Sequence, residues 1–169
     1  TFQNLVTATG RLSSTEPNLQ NIPVRTDLGA EIRKMFIPKP GHVLVDADYS
    51  QIELRVLAHI VEDARMQEAF RTGMDIHTVT ASQVFGVAPE EVTALQRRHA
   101  KAVNFGIVYG IGDFSLAQDI GVTKREAAEY IRSYLDTYPA IDAYLKNTVK
   151  LAHEQGFVTT MLGRKRYIP

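Results

Sequence analysis

The chain has 169 residues, of which 44% are hydrophobic, so it is long enough for one medium domain with its own core or for a piece of a larger protein. It has no cysteine and no apolar run of about 20 residues, which argues against disulfides, thiolate metal sites and a membrane span, and leads us to expect a soluble, intracellular protein. The 19 basic and 19 acidic residues balance, which argues against a uniformly basic protein that wraps nucleic acid.

The first third of the chain predicts extended pieces followed by a strand and a helix. Four prolines interrupt the first forty residues and favour short strands joined by turns. The apolar run His42–Asp48 predicts a strand, and the apolar spacing over residues 52–60 predicts a helix after it. Asp48 would then stand at a strand end, either as a turn or cap residue or, with Asp46, as an oxygen ligand of the kind that Mg²⁺ prefers.

The remainder is predominantly helical. From Met66 to Tyr138 the pattern is helical, with breaks at Gly73, Gly112 and Gly121 and near residues 86–89, where Pro89 suits a first helical turn. Thr123 with Glu126 predicts a capping box, and Pro139 opens a further helix to about Gln155. Residues 157–168 predict a hairpin around residues 162–164, so the expected class is α+β, mainly helical, with part of an antiparallel sheet and a C-terminal hairpin.

One predicted helix, Gln96–Ile111, carries two distinct faces. At about 100° per residue, Arg97, Lys101, Phe105 and Tyr109 fall on one stripe. Guanidinium and ammonium groups hold phosphate oxygens, and an aromatic ring one turn further meets a sugar or a base, so this stripe suits a nucleoside triphosphate. On spacing alone, the favoured interpretation is an ordinary amphipathic helix whose cationic face is solvated and whose aromatic rings pack on a neighbour.

The segment RRHAKAVNFGIVYG, residues 97–110, resembles the fingers-helix motif R-x-x-x-K-x-x-x-F-G-x-x-Y-G of family A, DNA polymerase I-like, DNA polymerases. The resemblance implies that Arg97 and Lys101 hold the phosphates of an incoming dNTP, that Phe105 packs on its sugar, and that Tyr109 stands on the template side. It also implies that Gly106 and Gly110 permit close approach and bending of the helix.

The segment DYSQIELR, residues 48–55, is similar to the first carboxylate motif of the same family. This implies that Asp48 is a catalytic Mg²⁺ ligand and that the Tyr49 carbonyl is a further ligand. Glu53 has two assignments: a capping box with Ser50, or, from the resemblance, a group beneath the nucleotide sugar that obstructs a ribose 2′-hydroxyl. The second assignment predicts a deoxynucleotide substrate.

Two further segments resemble the family. TATGRLSSTEPNLQNIP, residues 7–23, reads by itself as a polar surface loop but is similar to the duplex-binding segment. The resemblance implies that Arg11, Asn18, Gln20 and Asn21 contact primer-template DNA, where minor-groove acceptors are shared by all correct pairs. DIHTVTASQVFG, residues 75–86, also matches and implies that His77 contacts a phosphate, whereas alone it reads as a helix-start histidine.

Together these features predict part of a template-directed DNA polymerase of replication or repair, either of the bacterial cytoplasm and nucleoid or phage-encoded. Residues 1–62 would be partial palm, residues 63–155 helical fingers, and residues 156–169 the start of a hairpin returning to the palm. Lys101 would also assist the leaving group. The family's second carboxylate motif is missing here, so the chain would need the C-terminal palm and thumb segments for activity; the alternatives are an inactive binding fragment or a structural helical module.

Overall fold

A computed structural model describes residues 1–23 and 26–168 of the chain and confirms the α+β class. Within these ranges, helices predominate and the strands form two separate two-stranded antiparallel sheets. The helices are α1 (Asp27–Arg33), α2 (Ile52–Ile60), α3 (Ala64–Arg71), α4 (Ile76–Phe85), α5 (Ala94–Val108), α6 (Asp113–Ile120), α7 (Lys124–Thr137) and α8 (Pro139–Gln155), and the strands are β1 (Phe2–Gln3), β2 (Ser13–Ser14), β3 (Phe157–Thr159) and β4 (Lys165–Tyr167).

The chain divides into two compact units. One unit is Tyr49–Glu154 and holds α2 to α7 with nearly all of α8, and the other combines residues 1–48 with the segment from Gln155 onward. No helix in the described ranges has the length and apolar character needed to cross a membrane.

The helical unit is built on one apolar core. Each of the helices α2 to α8 contributes buried apolar side chains to it, and α5 packs against both α4 and α6. The largest fully buried apolar side chains come from seven of its helices, α2 to α8, and from the joint between α7 and α8: Leu54, Met66, Ile76, Val103, Leu116, Tyr134, Tyr138 and Ile141. This core fixes the position of α5, whose outer face is described below.

Local sequence signals determine where these helices begin and end. The predicted capping box of Thr123 with Glu126 is present at the start of α7, and a second one, Thr93 with Gln96, opens α5. Pro89 lies in a short 3₁₀ turn of residues 89–91, so the α-helix starts later than the proline suggested. The prediction of a helix to Ile111 was also too long, because α5 ends at Val108.

The way in which α5 ends explains why glycines occupy positions 106 and 110. Gly110 adopts φ +72°, its N–H donates to the Ile107 carbonyl, and the Ile111 N–H donates to the Gly106 carbonyl at 2.8 Å. This is a Schellman motif, in which a left-handed residue reverses the chain and satisfies the last carbonyls. Ile111 folds back onto the helix so closely that a Cβ at Gly106 would lie 2.4 Å from its Cγ2.

The second unit has little regular structure. β1 pairs with β2 through Phe2 and Ser14, and β3 pairs with β4 in the predicted hairpin, with Val158 opposite Arg166. Helix α1 was not predicted; Thr26 caps its N-terminus by accepting from the Gly29 N–H. The predicted extended pieces around residues 24 and 25, and the last hairpin residue Pro169, lie outside the described residues.

The strand predicted over His42–Asp48 is wrong. This segment has no helix or strand assignment, and Val43, Leu44 and Val45 are 80%, 64% and 83% exposed. A strand exists only when its N–H and C=O groups find a ladder partner, and no described segment pairs with this one. Asp48 therefore ends an unpaired segment.

Candidate nucleotide-binding site

Helix α5 presents the predicted stripe on its outer face. Arg97 and Lys101 are exposed, Phe105 is half-buried, and Tyr109, the C-cap residue, is 60% exposed. The opposite face, which includes Ala100, Val103 and Ile107, is buried in the core. Lys101 makes no hydrogen bond or ion pair with any described residue. The face therefore offers a solvent-facing ammonium group beside a guanidinium group and two aromatic rings.

Arg97 is held by Asp75, which sequence reasoning did not single out. The Arg97 Nε donates to Asp75 Oδ2 at 2.7 Å and Nη2 donates to Oδ1 at 3.1 Å, a two-pronged contact. Asp75 also caps α4 by accepting from the Thr78 N–H. Burial alone would raise the pKa of Asp75, but the hydrogen bonds from Arg97 and Thr78 prevail and lower it to about 2. The carboxylate is therefore charged at neutral pH and orients Arg97.

His77 lies under this face, close to the two cations. It is 3% exposed, its ring centroid lies 5.7 Å from that of Phe105, and its Nδ1 is 3.1 Å from the Asn104 side-chain nitrogen. Burial lowers the pKa of His77 to about 4; Asp75 opposes this shift, and Arg97 and Lys101 add to it. The imidazole is therefore neutral at pH 7. Its predicted phosphate contact stays a prediction.

Glu53 joins the C-terminal end of the same face from α2. The Tyr109 hydroxyl donates to the Glu53 carboxylate at 3.3 Å, across 56 positions of sequence. The alternative capping box with Ser50 does not form, because Gln51 is the N-cap of α2, in a left-handed conformation (φ +54°) and without a side-chain cap. Of the two interpretations of Glu53, the structure therefore excludes the capping box with Ser50.

Asp46, Asp48 and Tyr49 are exposed. Neither carboxylate forms a hydrogen bond or an ion pair within the described part of the chain. Asp48 and Tyr49 are neighbours in sequence at the division between the two units. No group of three or more acidic, histidine or cysteine side chains that could hold a metal ion occurs among residues 1–23 and 26–168. The described residues thus offer exposed oxygen ligands but not a complete metal site.

The predicted DNA-contacting loop lies in the other unit and is ordered by its own polar side chains. Asn18 accepts from the Gln20 N–H, and the Gln20 side chain donates to the Leu12 carbonyl at 2.9 Å. Both side chains thus have a structural role in this loop, while Arg11 and Asn21 are exposed. Gly10, at φ +80°, lies against the Arg164 guanidinium, which donates to the Thr9 carbonyl. Arg164 therefore braces the turn that presents Arg11.

Two residues near the α5 face were missed from the sequence. Asp75 carried a visible signal, since an aspartate before a helical pattern is a typical N-cap. Asn104 carried a weaker one: it is a polar residue beside the apolar stripe of α5, and it is completely buried. Its partner His77 is 27 positions away, so only the fold shows the contact.

Comparison with known proteins gives one consistent result. The sequence model described as DNA polymerase family A matches residues 1–169. The chain is 60% identical over 168 residues to DNA polymerase I of Caldicellulosiruptor bescii and 56% identical over 169 residues to DNA polymerase I of Geobacillus stearothermophilus. In each case the match covers 99% of this chain, but only 20% and 19% of the relative.

A solved structure is also similar along the whole chain. It is the POL domain of Pol1 from M. smegmatis in complex with DNA primer-template and dNTP, with a TM-score of 0.88 and 44% identity. The similarity covers 100% of this chain and 30% of that one. The chain thus spans about a fifth of the length of the curated relatives above and under a third of the solved polymerase domain.

Proposed function

The chain belongs to DNA polymerase family A, and on this premise we propose that it forms the dNTP-binding fingers and part of the palm of a template-directed DNA polymerase. One observation carries the proposal: the exposed face of α5 places Arg97 and Lys101 in line with Phe105 and Tyr109. The similar Pol1 domain was solved with primer-template and dNTP, and we propose the same ligands here.

In this proposal the α5 face binds the triphosphate. Asp75 engages the Nε and Nη2 atoms of Arg97, and a guanidinium has five N–H donors, so N–H groups remain for phosphate oxygens while the ion pair persists. Lys101 adds a compact charge, assists the departing pyrophosphate, and has no partner in the described chain that a phosphate would have to displace. The neutral imidazole of His77, which lies beneath this face of α5, donates a further hydrogen bond to a phosphate.

The sugar and base lie further along the same helix. Phe105 packs on the deoxyribose, and Tyr109 stands on the template side of the new base pair. The hydrogen bond from the Tyr109 hydroxyl restrains Glu53, and a restrained carboxylate beneath the sugar leaves no room for a 2′-hydroxyl. Replacing Glu53 should therefore weaken discrimination against ribonucleotides, measured as the ratio of kcat/KM for dNTP and for the matching ribonucleotide.

The first carboxylate motif supplies the catalytic metal ligands of the proposal. Asp48 and Tyr49 are exposed residues, and a carboxylate and a backbone carbonyl are hard oxygen ligands of the kind that Mg²⁺ binds. The donor chemistry therefore fits, although a further carboxylate is needed to complete a two-metal site. When bound, Mg²⁺ would supply positive charge that stabilises the negative charge on the attacking and leaving oxygens. We propose that this further carboxylate comes from the remaining polymerase segments, the C-terminal palm and thumb.

The reaction is nucleotidyl transfer: the primer 3′-hydroxyl attacks the α-phosphorus of the dNTP and pyrophosphate leaves. Arg11 and Asn21 contact primer-template DNA. Asn18 and Gln20 hold the loop that carries Arg11 and Asn21, and they contact DNA through the side-chain donors and acceptors that this loop does not use. A fragment that binds dNTP and DNA without catalysis is the second candidate, because the second carboxylate motif does not occur in this sequence.

Primer extension with Mg²⁺ and dNTPs separates these candidates. We expect no extension by the chain alone, and extension when the C-terminal palm and thumb segments are supplied, abolished by Asp48→Ala. Failure of the mixture to extend while the chain still binds dNTP would favour the binding fragment. Extension by the chain alone would contradict the requirement for a second carboxylate segment.

A matched pair of cation variants tests the α5 face itself. Lys101→Ala should weaken dNTP binding roughly tenfold to a hundredfold, because a charge-assisted hydrogen bond is lost. Arg98→Ala removes a neighbouring exposed cation at a position where the motif specifies no residue, and it should change dNTP binding by less than about twofold. Equal losses in the two variants would mean that the helix attracts phosphate only through its overall charge.

A further inference from the structure

Asn104 is a buried polar residue that the proposed function does not use. It lies on α5 next to Phe105, and its side chain is 0% exposed. A buried amide costs about 1–3 kcal/mol if it is left without hydrogen bonds, so its partners explain why it is tolerated there. Both of those partners, His77 and Thr80, are on α4.

The partners form a connected polar group inside the apolar core. The Asn104 Nδ2 donates to Thr80 Oγ1 at 3.1 Å and to His77 Nδ1 at 3.1 Å. The Thr80 hydroxyl is also 3.4 Å from the Tyr138 hydroxyl. The Asn104 Oδ1 also lies 3.3 Å from the Thr80 hydroxyl, from which it accepts. With the amide in this orientation its Nδ2, which is a donor only, faces the ring, so that His77 Nδ1 accepts and the single proton of the neutral ring is on Nε2.

From this geometry we infer that Asn104 is a positioning residue, which fixes the His77 tautomer so that Nε2–H is the donor offered to a phosphate of the incoming nucleotide. The inference rests on the proposed role of His77. In the other tautomer, Nε2 would turn a lone pair toward a phosphate oxygen, which repels it. Burial keeps the ring neutral, so the second proton that would make both nitrogens donors is not available at pH 7.

The tautomer is measured directly by solid-state ¹⁵N NMR of the full-length polymerase labelled with [¹⁵N]histidine. The His77 signals are those that disappear in His77→Gln. We expect an unprotonated Nδ1 and a protonated Nε2 in the wild type, and a shift of the proton to Nδ1 in Asn104→Asp, where a carboxylate replaces the amide donor. A proton on Nδ1 in the wild type would overturn the inference, whatever the enzyme's activity.

Steady-state kinetics then tests the consequence. Asn104→Asp should raise KM for dNTP about threefold to tenfold with a smaller change in kcat, because one hydrogen bond to the nucleotide is lost. The same substitution in a His77→Gln background should add nothing, since the two residues act as a unit. Additive effects, or loss of kcat with unchanged KM, would show that Asn104 only supports the core.

Tyr138→Phe is the matched control. It removes a hydroxyl from the same polar group but touches neither Asn104 nor His77, so it should lower thermal stability and leave the tautomer and KM unchanged. If the expected tautomer is found but His77→Gln leaves KM unchanged, the proposed phosphate role of His77 fails while the effect of Asn104 on the ring stands. The two failures are therefore distinguishable.

Discussion

At the scale of single residues, the protonation of His77 follows from its burial. Its pKa is lowered to about 4, below the ordinary value of 6.5 that it has in the unfolded chain. As pH falls from 6.5 to 4, the unfolded chain binds a proton on His77 before the folded chain does. This proton binding stabilises the unfolded chain, so the folded state loses stability between pH 6.5 and 4, whereas above pH 6.5 this group has no effect on stability. We expect a decrease in the free energy of unfolding on the order of 2–3 kcal/mol.

Urea unfolding of the chain at a series of pH values checks this expectation. His77→Gln should show a flatter pH profile between pH 6.5 and 4 than the wild type. His59→Gln makes the same substitution at an exposed histidine of α2 and is the control for the substitution itself. If His77→Gln and the wild type gave parallel profiles, the ring would be protonated as easily in the folded chain as in the unfolded one.

At the scale of elements, the C-terminal turn of α5 depends on a close contact. Ordinarily Gly→Ala within a helix stabilises it by about 1 kcal/mol. At Gly106 the new Cβ would lie 2.4 Å from Ile111 Cγ2, so we expect Gly106→Ala to destabilise the chain by about 1–3 kcal/mol instead. Thermal or urea unfolding measures the sign directly.

Ile111→Ala provides the accompanying control, because it removes the Cγ2 methyl group that the new Cβ would meet. The double variant Gly106→Ala/Ile111→Ala should therefore lose less stability than the sum of the two single variants. Strict additivity would locate the cost of Gly106→Ala elsewhere in the helix.

The elements that could be predicted from the sequence are those specified by neighbouring residues. The starts of α7 and α8 follow from Thr123, Glu126 and Pro139, all within one turn of a helix start. The strand over His42–Asp48 failed because a strand needs a partner from elsewhere, and none of the described segments supplies it. Apolar character alone predicted a strand but carries no information on the segment with which that strand would pair.

The same distinction applies to the candidate site. The α5 stripe could be predicted because helical spacing determines it. The contacts that orient it could not, since Asp75 meets Arg97 across 22 positions and Glu53 meets Tyr109 across 56. Such pairs depend on how helices pack, which no local pattern contains.

At the scale of the whole molecule, buried apolar area is unevenly distributed. Every buried apolar side chain of the described core, from Leu54 to Ile141, belongs to the helical unit Tyr49–Glu154. In the other unit, apolar side chains such as Leu5 and Val45 are 92% and 83% exposed. Since apolar burial is the main source of stability, the helical unit should contribute most of the free energy of folding.

Hydrogen exchange measured by mass spectrometry tests this distribution in the isolated chain. Amides of α4, α5 and α7 should exchange only on global unfolding, because they surround the core, whereas amides of residues 1–23 and 26–48 should exchange through local opening with much lower protection. The short ladders of β1 with β2 and of β3 with β4 should add little, because an isolated two-stranded pair is marginal in water. Equal protection in both units would mean that residues 1–48 are stabilised by something other than apolar burial.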